Sequence, residues 1–326
     1  MKTSYIYSSS RVKALEKELL NEASVNHLLE SAKGEAFMKA LKETYLATHL
    51  KSENADGVFS ALEDSLVEAK NLIERVAPEK RLFDFLWVRY DLHNLRVILK
   101  AKKAGLSEDK MSPYLSRLGK YTPETLQEHI SAGTLNRLES EFKVIYEQAE
   151  KIMEEQGVAT ADLLIDTSYF ELAKRMVHDT HDLSLGKVIR LQIDLYNLRT
   201  KLRTLLVERE DSSAWFVTGG NLRLSDIDSK EQALSALLAY GGEKYWREAI
   251  EVYNTEQHLT LIEARADDFL LETLRDMSHD IFSPASLIAY FLQTQNSAKI
   301  IQTITVGKES GQDESQIRKH LRTLYV

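Results

Sequence analysis

Apolar side chains between Arg81 and Lys103 fall at nearly every angle of a helix. Leu82, Phe83, Phe85, Leu86, Trp87, Val88, Leu92, Leu95, Ile98 and Leu99 wrap most of its circumference. The charged exceptions Arg89, Arg96, Lys100 and Lys103, with His93 between them, recur at spacings of three and four and so share one stripe. A helix apolar nearly all round is central, with a single wet or partner-facing edge. Lys100, Lys102 and Lys103 crowd its last turn, where the macrodipole favours cations. Elsewhere run long stretches of Ala, Leu, Glu, Lys, Arg and Gln, the strong helix formers. The prolines sit like helix starts: Ser112-Pro113, Thr122-Pro123 and Ser283-Pro284 put a capping hydroxyl before a proline, and Pro78 heads the Arg81 helix. Asp56-Gly57 stands among helical patterns rather than between two alternating runs, so no hairpin is signalled. The pattern predicts an all-α protein.

One phrase of that helix recurs. Asp91 to Leu99 reads DLHNLRVIL and Asp194 to Leu202 reads DLYNLRTKL, 103 positions later, sharing Asp, Leu, Asn, Leu, Arg and Leu in register. A worn copy, QTQNSAKII, runs from Gln293 to Ile301 and keeps Asn296 and the apolar tail. A second marker holds the same register: DTSYFELAKRM (Asp166 to Met176) and DDFLLETLRDM (Asp267 to Met277) lie 101 positions apart. Solenoid repeats have periods of about 20–50 residues, and this one is longer. The reading is three related helical lobes, each near the modal size of a domain, over residues 1–118, 119–219 and 220–326. The Asp-x-x-Asn pair of each full copy (Asp91 with Asn94, Asp194 with Asn197) shares one helix face, which suits buried hydrogen bonding at the seam between lobes.

Composition narrows the function. The net charge is −8, against phosphate-backbone binding, so no nucleic-acid partner is expected. Cysteine is absent, which removes disulfides, thiolate metal sites and cysteine nucleophiles. The first twenty residues carry no apolar run of the kind a secretory signal needs, and the expected compartment is the cytoplasm. The longest uncharged stretch, Ile281 to Ala298, contains Ser, Thr, Gln, Asn and Pro; it reads as a buried core helix and not a membrane span.

Candidate chemistry is sparse. His178-Asp179-Thr180-His181-Asp182 offers two imidazoles on one face but no third and fourth metal ligand, and a polar helix end before a loop at Gly186 accounts for it. Asp267-Asp268 with Glu272 is similar to the magnesium-holding motif of all-helical prenyl-diphosphate enzymes. Its spacing is one residue too long, however, and Asp267 is the repeat partner of Asp166, a position shared for packing. Gly219-Gly220 and Gly241-Gly242 belong to no phosphate-cradling motif. No catalytic residue, metal or cofactor is expected. The basic stripe continues in the second repeat as Arg199 and Arg203 and becomes Ala298 and Gln302 in the third. Arg89, Arg96, Lys100, Arg199 and Arg203 are therefore candidate partner-binding residues, with salt bridging between lobes as the alternative.

RYDLHNLRVILKAK (Arg89 to Lys102) resembles the C-type subunit of the archaeal and bacterial A/V-type rotary ATPases, the counterpart of the d-type subunit of the eukaryotic vacuolar enzyme. YIYSSSRVKALEKELL (Tyr5 to Leu20) is similar to the family's opening, and FVTGGNL (Phe216 to Leu222) to its glycine turn between the second and third lobes; the third copy departs from the pattern, with NSA (Asn296 to Ala298) for NLR. The resemblance implies a funnel-shaped body with pseudo-threefold symmetry and no active site of its own. It also implies two partners: the central-stalk subunits (D and F type), received in a socket, and the membrane rotor ring of c/K-type proteolipid subunits. A protein of this family sits peripherally on the cytoplasmic face of the membrane and couples ATP hydrolysis or synthesis to H+ or Na+ transport. A helical scaffold unrelated to rotary motors is the competing class, with a magnesium-dependent diphosphate enzyme behind it.

Overall fold

The computed structural model describes residues 5–206, 215–322 and 324. Among these residues the chain is all-α, with no strand. The helices are α1 (Ile6–Glu16), α2 (Glu22–Glu30), α3 (Glu35–Leu41), α4 (Ala55–Val76), α5 (Asp84–Ala104), α6 (Glu108–Met111), α7 (Pro123–Ser131), α8 (Phe142–Glu155), α9 (Val158–Thr180), α10 (Leu183–Leu206), α11 (Lys230–Leu238), α12 (Glu243–Glu256), α13 (Thr260–Met277), α14 (Ala285–Glu309) and α15 (Glu314–Lys319). They divide into two compact units, one of Met1–Lys80 with Asp267–Val326 and one of Arg81–Ala266.

In the first unit α14 packs against α4 and α1. Helix α4 starts where the Asn54 side chain accepts from Gly57 N at 2.8 Å, filling one of the bonds a helix start leaves open. Its buried stripe of Val58, Ala61, Leu62, Ser65, Ala69, Leu72 and Ile73 repeats at three and four. Leu28, Leu41, Val58, Ile301 and Ile304 are wholly buried in the core this makes, and each side chain of that size contributes about 1.5–3 kcal/mol by leaving water. Helix α14 covers most of the uncharged Ile281–Ala298 stretch and is buried along its length, as the sequence suggested. No described helix is long and apolar enough to cross a membrane. Near the chain's end a capping box of Asp313 and Gln316 starts α15, and Ile317 packs where a side chain on Gly307 would lie.

In the second unit α9 lies against α5, α8 and α10. All ten apolar residues expected to surround the α5 segment are buried. The first two, Leu82 and Phe83, belong to a 3-10 turn (Lys80–Phe83), so Pro78 precedes that turn rather than the α-helix itself. Gly105, in the left-handed conformation at φ 63°, ends α5 and returns its N–H to the last turn. Thr122 caps α7 ahead of Pro123, as the Thr-Pro pair predicts. The loop expected at Gly186 is instead helix. Asp182 accepts from Ser184 N at 2.9 Å and Leu185 N at 3.0 Å, starting α10 only three residues after α9 ends.

Candidate functional site

The two copies of the repeated phrase carry the same buried device. Asp91 and Asn94 on α5 are fully buried, as are Asp194 and Asn197 on α10 to within 2%. Asn94 clamps the chain after its helix, donating to Ser116 O at 2.8 Å and accepting from Ser116 N at 2.8 Å. Asn197 does the same to Val217, at 2.8 and 2.9 Å. Asp91 accepts from Lys120 N and Tyr121 N at 3.0 Å each. Asp194 accepts from Asn221 N at 2.9 Å, Leu222 N at 3.0 Å, the Asn221 amide at 2.7 Å and the Tyr240 hydroxyl at 2.7 Å. A buried carboxylate of this kind is made tolerable by donors aimed at it, and each lost charge-assisted bond costs about 1.5–3 kcal/mol. The Tyr240 hydroxyl in turn has its pKa pushed well up, by burial first and by Asp194 second.

The glycines belong to the same device. Gly119 and Gly220, 101 positions apart, lie where a Cβ would overlap Oδ1 of Asp91 and of Asp194 respectively. The seam suggested for the Asp-x-x-Asn pairs is thus a grip on the linkers at 116–121 and 217–222. In the third copy α14 ends at Glu309 and α15 begins at Glu314, so the positions spaced from Asn296 as Ser116 and Val217 are from their asparagines lie in a helix. Gln293 there replaces the aspartate.

The five candidate stripe residues are all engaged within the second unit. The Arg89 guanidinium lies 5.8 Å from the centre of the Tyr169 ring. Arg96 pairs with Asp166 and lies 3.4 Å from Asp162, whose other oxygen is 2.7 Å from Lys100 Nζ. Arg199 Nε donates to Leu195 O at 3.2 Å, and Arg203 pairs with Glu263. The acids stand on α9 and on the start of α13, so Lys100–Asp162 and Arg203–Glu263 are one ion pair made twice in the repeat's register. Arg96 keeps 24% of its side-chain exposure and Arg203 60%, which places the tighter network on α5. Burial first, and the Asp166 carboxylate second, push the Tyr196 hydroxyl up to about 12.

The remaining sequence candidates fall to structural roles. His181 closes α9 in the left-handed conformation, while Asp182 begins α10. No group of three or more His, Asp or Glu among the described residues could hold a metal ion. Asp267, the acid compared with a magnesium motif, receives Lys299 at 3.2 Å and Arg322 at 2.6 Å, both within the first unit.

These features define an internally repeated helical protein whose shared residues grip linkers and neighbouring helices. It belongs to the family described as the ATP synthase (C/AC39) subunit, which matches residues 8–320. The C-type subunit of the A-type ATP synthase of Desulfurococcus sp. (strain SY) is 26% identical, covering 97% of this chain and 90% of the relative. The corresponding A-type ATP synthase subunits of Methanocaldococcus jannaschii and Thermococcus kodakarensis are 24% and 27% identical, over 98% and 93% of this chain and 86% of each relative.

Proposed function

We propose that the protein is a non-catalytic rotor adaptor of an A/V-type ATPase. In this reading it joins the central stalk (D- and F-type subunits) to the membrane ring of c/K-type proteolipids on the cytoplasmic face. It passes torque between them, coupling ATP hydrolysis or synthesis to H+ or Na+ transport. The observation that carries the reading is the family match, which runs through both compact units from residue 8 to residue 320. Three lobes in a funnel, bounded near 118/119 and 219/220, fit that task. The Asp–Asn clamps support it further, since both proposed boundaries fall inside the linkers they hold, and rigid linkers resist twisting. The stripe of Arg89, Arg96, Lys100, Arg199 and Arg203 is then chiefly internal bracing, with the outer edges of Arg89 and Arg203 left for a partner.

The test is depletion of this chain from the purified ATPase. ATP hydrolysis by the remaining head should persist while ATP-driven ion transport falls to background, and adding the chain back should restore transport. Unimpaired transport without the chain would refute the adaptor role.

A further inference from the structure

A cleft of about 360 Å³ opens where α9 ends, α10 begins and the 217–220 turn passes by. Its apolar wall is Val177, Ile189 and Leu183, and its polar lining is Lys174, His178, His181, Asp182 and Arg190. The one acid is already occupied, since the Asp182 carboxylate caps α10 through Ser184 N and Leu185 N. Lys174 is held by Glu171 and by Thr218 O, both at 2.7 Å, and its stem fills the place a side chain on Gly219 would take. Arg190 is different: among the described residues its guanidinium has no ion pair or hydrogen bond, unlike Arg96 or Arg203. Leu183 at the rim is 83% exposed, the largest exposure of any bulky apolar side chain described. Leaving such a side chain in water forgoes about 1.5–3 kcal/mol.

From this we infer that the cleft is a docking point for a segment of a partner protein carrying a carboxylate beside an aliphatic side chain. The carboxylate would meet Arg190, and the aliphatic group would cover Leu183. The occupant follows from charge: Lys174 is matched by Glu171 and Asp182 serves the start of α10, which leaves the Arg190 guanidinium to be met by a carboxylate from outside. Arginine is among the residue types enriched at interface hot spots, and Leu183 on the same cleft supplies apolar surface that a partner would take out of water. The inference rests on the adaptor reading, and it names one place on the surface through which that reading would operate.

The experiment measures binding of the full chain separately to the isolated central-stalk subunits and to the detergent-solubilised rotor ring. Wild type is compared with Arg190→Glu, Arg190→Gln and Leu183→Ser, and with Lys151→Glu as a charge-matched control whose side chain is 72% exposed. The expected result is about tenfold or greater weakening toward one of the two partners for Arg190→Glu and Leu183→Ser, an intermediate loss for Arg190→Gln, and none for Lys151→Glu. Melting curves identify any variant that fails to fold, and Arg190→Gln keeps the test intact if Leu183→Ser does. Wild-type binding that all variants retain overturns the docking point and leaves the adaptor reading standing. A wild type that binds neither partner overturns both. If the variants instead lose only capture by anionic phospholipid vesicles, the cleft takes a lipid headgroup and the protein-segment assignment is wrong.

Discussion

Gly220 has no room for a side chain because the carboxylate of Asp194, twenty-six residues earlier, fills the space where its Cβ would lie. Gly119 stands in the same relation to Asp91. Adding one methyl at either glycine must push the carboxylate off the backbone amides it serves. We expect Gly119→Ala and Gly220→Ala each to destabilise by about 1–3 kcal/mol in denaturant titration. Gly186→Ala, inside α10 with only the flexible tip of Arg190 at 3.4 Å, should be neutral or stabilising by about 0.5–1 kcal/mol. Equal effects at the three glycines would show that the clamp does not set the stability of the linkers.

The asparagines hold single backbone positions, so their loss should read out locally. Asn94→Ala is expected to raise the exchange rate of the Ser116 amide, and Asn197→Ala that of Val217, each well beyond the change elsewhere in the unit. Protection that is unchanged at these two amides would show that other contacts hold the linkers.

Much of this was legible in the sequence, and what was not had a physical cause. The α5 surround of ten apolar residues, the all-helical class and the repeat were open to a reading of periodicity alone. The targets that Asp91 and Asp194 have in common were hidden because they are backbone N–H groups, which every residue but proline carries. Their one outward mark was the pair of glycines 101 positions apart, Gly119 in LGK and Gly220 in GGN. The acids facing the basic stripe were hidden for another reason. Asp162 and Glu263 differ in type, and nothing local says which neighbouring helix a lysine or arginine will meet. At Gly186 a glycine suggested a loop, but the Asp182 cap had already begun the helix.

The Arg96–Asp166 pair lies partly out of solvent, so it should couple measurably. A double-mutant cycle with Arg96→Ala and Asp166→Ala is expected to give roughly 1 kcal/mol of interaction energy, reduced by salt, while the more exposed Arg203–Glu263 pair should give less. Reversal of Arg96 and Lys100 to glutamate should lower the melting temperature, because it sets like charges against Asp162 and Asp166. A cycle at zero for Arg96–Asp166, with no loss on reversal, would return the stripe to solvent.

Alkaline stability follows from the buried tyrosines. Tyr196 titrates near 12 in the folded chain against about 10 when unfolded, so the unfolded state loses its proton first. Its contribution is therefore complete below about pH 10 and is lost as pH rises toward about 12, with Tyr45 and Tyr240 raised in the same direction. Phenolate absorbance should lag for these residues and appear together with loss of helical circular dichroism. Full ionisation near pH 10 in a folded chain would contradict this.

The adaptor role is tested most directly by the mass of the complex formed with the central-stalk subunits of the same organism, measured by light scattering behind size-exclusion chromatography. A one-to-one assembly of this chain with one stalk, stable at moderate salt, is the expected result. Separate elution of chain and stalk at both low and moderate salt would contradict it.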